Sequence, residues 1–129
     1  MSFIDLLRED PSTKSLIPAS ESDICYAERM LGSRFSQEYK EYLMTFGVAI
    51  TDKHEFTGLC KSKRLNVVDI TLRERNKHAV INNILYVIES IDIDHIIIWQ
   101  DSFGAIYQSV GENTPISIYN SLYEYVTAK

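Results

Sequence analysis

The chain is predicted to be an α+β domain: an antiparallel meander sheet with N-terminal helices, one inserted helix and a C-terminal helix packed against it. Two capped, helix-periodic segments come first. From Ile84 the composition then changes to short β-branched runs parted by turn residues, and helical spacing returns only at the end. Helices segregated from strands in this way, rather than alternating with them, mark an α+β arrangement. At 129 residues the chain fits one domain, 1–129, with residues 1–19 as an N-terminal arm or short helix. That length buries enough surface to need neither disulfide nor metal.

At the start, Phe3, Ile4, Leu6 and Leu7 make a short amphipathic turn or two, closed by Asp10-Pro11. The loop to Pro18 is polar and expected to be exposed. Ser20, with Asp23 three residues on, imitates a capping box, and Ile24, Ala27 and Leu31 form one apolar stripe ended by Gly32. The second helix has Ser36 as N-cap. Tyr39, Tyr42, Leu43 and Phe46 lie on one face of it, and Gly47 stops it. Helices are thus predicted over residues 21–31 and 37–46.

Glu55 to Cys60 reads as the first strand. Cys60-Lys-Ser-Lys-Arg-Leu-Asn66 is a basic loop, and Asp69 starts the inserted helix. Its expected buried side is Val68, Leu72 and Ala79, with Arg73, Arg75 and Lys77 outward. Ile84–Glu89 and His95–Gln100 are nearly continuous apolar runs, the pattern of strands covered on both faces. Asp101-Ser-Phe-Gly104 is a turn leading into an outer strand, Ala105–Val110. Tyr119, Leu122, Tyr123 and Val126 place a closing helix over residues 117–127.

Several of these pieces together resemble the SUKH superfamily, which groups fungal cell-wall-assembly regulators with many bacterial immunity proteins. They are the aromatic helix Tyr39-Lys-Glu-Tyr-Leu43, its terminating glycine, Glu55-x-x-Gly58, Val67-Val68-x-x-Thr71-x-x-x-Arg75 and the apolar hairpin. The resemblance spans roughly residues 23–126 and implies the same α+β fold. The chain departs from the family pattern in having Phe35-Ser36 where many relatives have Leu-Pro, and Phe46-Gly47-Val48 where they have Asn-Gly-Gly.

Charge is unevenly spread. Residues 1–50 hold eight acids against five bases, residues 51–78 four against seven, and residues 79–129 six against one. The acidic last third argues against nucleic acid as a direct partner and suits a basic one. Cys25 and Cys60 have no Cys-x-x-Cys spacing and read as reduced thiols. The N-terminus lacks a signal-peptide pattern and no run reaches membrane-spanning length, so a cytoplasmic protein with no membrane contact is expected.

No motif advertises chemistry. There is no Gly-x-Ser-x-Gly turn, no phosphate-cradling glycine loop, and His54, His78 and His95 are scattered, so no catalytic residue, cofactor or metal is assigned. Asp92 and Asp94 sit two apart, with Glu89 and Asp101 near the flanking strand ends. They read either as a polar turn between apolar strands or as an acidic rim for a basic partner. Of the eight tyrosines, Tyr107, Tyr123 and Tyr125 are the expected exposed ones.

What the resemblance implies is an immunity protein, not an enzyme, that neutralises a cognate, nuclease-like toxin domain by stoichiometric binding, as a monomer or weak homodimer. Glu89, Asp92, Asp94, Asp101 and Glu112 would contribute electrostatically and Tyr107 would be an anchor. These positions come from charge and strand placement, since the family supplies no fixed binding motif. The alternatives are a regulatory scaffold of the cell-wall-regulator type, whose members generally carry disordered flanks not seen here, and a small hydrolase using Asp92 or Asp94.

Overall fold

A computed structural model describes residues 1–77, 84–91 and 93–128. The first turn is a helix, α1 (Phe3–Glu9), opened by a capping box between Ser2 and Asp5. It buries Phe3 and Leu7 and packs on α3 (Gln37–Phe46) and α5 (Leu122–Thr127). The loop that follows is exposed as expected, yet it contributes a short strand, β1 (Lys14–Ser15), antiparallel to β2 (Ala49–Ile50). Helix α2 (Glu21–Leu31) and α3 have the predicted bounds, the predicted caps Ser20 and Ser36, and the predicted buried stripes.

Gly47 ends α3 differently from the left-handed cap the sequence suggests. Its φ of 71° and ψ of −62°, with the Val48 N–H donating to Phe46 O at 2.7 Å, make a γ-turn. The chain reverses there within three residues and delivers Val48 and Ala49 into the core.

The predicted strand at 55–60 is not a strand. Its donors go to four different neighbours: Phe56 N–H to Ala49 O, Thr57 N–H to Ile88 O, Gly58 N–H to Leu65 O and Leu59 N–H to Gly47 O. The segment is threaded between elements, leaving only isolated bridges at Ile50–Glu55 and Gly58–Asn66. At Gly58 a Cβ would stand 1.9 Å from Gly47 O, so a side chain there has no room.

The inserted helix α4 (Val67–Arg75) is capped by Asn66 and turned about its axis from the expected phase. It buries Val67, Ile70, Thr71 and Glu74, while Leu72 is exposed. Thr71 wins the inward position because its hydroxyl accepts from the Val87 N–H at 2.9 Å. Arg75, expected outside, turns in and donates to Leu31 O at 2.6 Å and Leu85 O at 2.9 Å. Ala79 and His78 lie outside the described residues.

The main sheet runs β3 (Tyr86–Ile91), β4 (Ile96–Gln100), β5 (Ile106–Val110) and β6 (Ile116–Tyr119) in that order, each antiparallel to the next. One face sends Tyr86, Ile88, Ile98 and Ile106 into the helix-lined core. The other sends Val87, Ile97 and Trp99 against Ile70 of α4. Cover on both faces is what the continuous apolar runs require. The predicted closing helix is split: its first part is the edge strand β6, and only Leu122–Thr127 is helical. The α5 N-terminus is held by the Glu38 carboxylate of α3, which accepts from the Leu122 and Tyr123 N–H groups at 2.7 and 3.1 Å.

Buried hydroxyls are matched in this core. Tyr42 donates to Thr57 O and accepts from the Ala49 N–H. Tyr86 accepts from the Ser36 N–H and donates to Gln100 Oε1. Thr57 Oγ1 donates to Val87 O and so accepts from Tyr39. Such pairing makes burial of three tyrosines tolerable.

Candidate partner-binding surface

The residues predicted to meet a partner are not one cluster. Glu89, on β3, is buried, and its carboxylate is taken up internally. It accepts from the Glu55 N–H at 2.9 Å and the Tyr125 hydroxyl at 2.6 Å. It also meets His54 Nδ1 at 3.0 Å, where the proton sits on nitrogen because a carboxylate only accepts. Burial first, then the Glu89 charge, hold the Tyr125 hydroxyl protonated far above its usual range. Glu89 therefore joins three segments of the fold and is not part of an exposed rim.

Asp101 is likewise buried. Its Oδ1 accepts from the Phe103 and Ala105 N–H groups, and its Oδ2 from the Tyr107 hydroxyl at 3.0 Å. It stabilises the β4–β5 turn. Tyr107 is half-buried, packed beside the Trp99 cluster, and its hydroxyl is pushed up by burial and then by Asp101. The anchor role expected of Tyr107 thus loses its free hydroxyl. Tyr123 and Tyr125 are half-buried too, and the exposed tyrosine is Tyr26, on α2.

Asp94 and Glu112 remain as exposed acids. They sit at the opposite end of the sheet from Asp101, in the β3–β4 and β5–β6 turns. Asp94 and His95 both have positive φ, 60° and 53°, which makes a sharp turn between the two apolar strands and takes His95, expected in the strand, out of it. The Gly111 N–H donates to His95 O at 3.1 Å and ties the two turns together. Asp92 lies outside the described residues.

Beside these turns is an open cleft whose lining includes His95, Glu112, Arg73 and Glu74 of α4, and Lys77 just beyond its end. Glu74 is buried there, with Arg73 Nε at 3.3 Å and Lys77 Nζ at 3.4 Å. The acidic turn end thus borders a basic helix end, which the sequence order does not reveal. Exposed apolar side chains add to the surface: Phe103 at the β4–β5 turn, Ile93 beside Asp94, and Ile116 and Ile118 on β6. None of these four was anticipated, although for Phe103, Ile116 and Ile118 one signal was present, an almost charge-free stretch over residues 102–123.

Cys60 is half-buried, its thiol pushed up chiefly by burial. Among the described residues no group of His, Cys, Asp and Glu could hold a metal ion, and no helix is long and apolar enough to cross a membrane. A family model described as SMI1-KNR4 cell-wall, SUKH_5, matches residues 1–129. No curated protein matches the chain.

Proposed function

The chain belongs to the SUKH family, and on that premise we propose that it is an immunity protein that neutralises a toxin domain by stoichiometric, non-catalytic binding. The observation that carries this reading is the tied pair of turns presenting Asp94 and Glu112. Two exposed carboxylates on a braced sheet end, in the acidic third of the chain, suit a basic surface such as a nuclease uses to hold phosphates. Ile93, exposed beside Asp94, supplies an apolar contact that charge alone lacks. Inhibition follows if the bound sheet end covers the toxin's substrate groove.

The test begins with affinity capture from the host at low and moderate salt. One polypeptide with a basic domain, recovered in near-equal amount and released by salt, is expected, and one equivalent of the protein should suppress its activity. The Asp94→Lys, Glu112→Lys double variant should slow association roughly tenfold at low salt and flatten the salt dependence. Unchanged affinity and salt dependence would remove this surface from the account. The family description favours a second reading, a regulatory scaffold, which recovery of cell-wall enzymes with no basic toxin would support.

A further inference from the structure

Strand β6 is the free edge of the main sheet. β5 pairs with one side of it, and among the described residues no strand lies on the other. A free edge carries a row of backbone N–H and C=O groups that invites another strand, and proteins ordinarily put charged side chains there to keep other chains off. Here those charges are missing. Residues 102–123 carry one charged side chain, Glu112, in a chain that is 24% charged. The same hairpin leaves Ile116 69% exposed, Val110 40% and Ile118 36%. With a net charge of −5, two copies repel, and β6, which carries no charged side chain, is where they meet with the least like-charge contact.

We propose that the β6 edge pairs with a second copy of this chain, antiparallel about a two-fold axis, joining two four-stranded sheets into one and covering Ile116 and Ile118. An antiparallel strand meeting its own copy is self-complementary, as an isologous interface requires. The assembly closes at two copies, because the far edge of the sheet is occupied: the Thr57 N–H donates to Ile88 O on β3. Pro115 precedes β6, and a register shift lies opposite Ile106 and Tyr107, so the pairing segment is short. Four residues fall well below the roughly 800 Å² per partner of a standard interface, and the dimer is accordingly weak and reversible.

The inference is independent of the toxin-binding reading, which rests on Asp94 and Glu112. Sedimentation equilibrium of the full chain from about 10 μM to about 1 mM spans the range of weak association. The weight-average mass should climb from 14.9 kDa towards twice that value, with little loss at higher salt. The Ile116→Lys, Ile118→Lys double variant, checked for an unchanged circular dichroism spectrum, should remain monomeric throughout. In the unmodified chain, amide shifts that move on dilution should concentrate in residues 110–119, a readout that needs no variant. A wild-type mass fixed at the monomer, an association that survives the double variant, or dilution shifts centred elsewhere would each overturn the proposal. So would loss of partner capture in the double variant beside a monomeric wild type, which would assign the edge to a foreign strand. A monomeric result leaves the outcome of the Asp94 and Glu112 test untouched.

Discussion

Gly47 is held by two constraints at once. Its φ of 71° with ψ of −62° belongs to a γ-turn that side chains resist, and a Cβ there would stand 2.0 Å from Ile17 O. Gly47→Ala should therefore cost at least about 2 kcal/mol, read as a fall in the urea midpoint at unchanged slope. Glu89 makes a different prediction. Glu89→Gln keeps the size but puts an amide where three donors converge, so one of them faces another donor, at a cost of roughly 2 kcal/mol. With the Glu89 charge gone, the Tyr125 hydroxyl should also ionise at lower pH, followed by its tyrosinate absorbance. An unaltered Tyr125 titration would mean that burial alone sets it. At this scale the sequence placed Ser20, Ser36 and the buried stripes correctly, because caps and periodicity involve partners three or four residues away. It misjudged Glu89, whose partners lie 34 to 36 residues away.

Helix α4 was legible as a helix but not in its phase. Val68 and Leu72 compete with Val67, Ile70 and Thr71 for the inward side, and apolar count alone prefers the leucine. The structure prefers Thr71 because the Val87 N–H needs an acceptor inside. Thr71→Val, which preserves shape, should cost roughly 1–3 kcal/mol by stranding that N–H. Leu72→Ala, at an exposed position, should stay within about 0.5 kcal/mol. The reverse order in thermal or urea unfolding would restore the predicted phase. Strand β6 was missed for a related reason. Tyr119, Leu122, Tyr123 and Val126 satisfy a helical spacing, and the four residues of β6 are too few for alternation to outweigh it. Pairing with β5 decides for the strand, and Glu38, 84 residues upstream of Leu122, fixes where the helix begins.

For the molecule as a whole, a core built around Tyr39, Tyr42 and Tyr86 ties stability to alkaline pH. Burial is the first cause that lifts all three hydroxyls above their ordinary value of 10.0. Folded values above the unfolded one mean that their contribution is intact below pH 10 and is lost as pH climbs above it. Each then removes about 1.4 kcal/mol per pH unit. Tyrosinate absorbance from these three should thus appear together with loss of tertiary circular dichroism, in one cooperative step above pH 10. Their ionisation in a still-folded protein would contradict the buried, hydrogen-bonded environment described above. The sequence by itself determined the α+β class, the bounds of α2 and α3, the apolar hairpin strands and the resemblance to a family, since each rests on local pattern. Only the tertiary structure decided that Glu89 and Asp101 are internal, that Asp94 and Glu112 share one exposed end, and that an uncharged strand lies at the sheet edge. A carboxylate's type is written in the chain, but whether it meets water or a buried donor depends on segments that folding alone brings together.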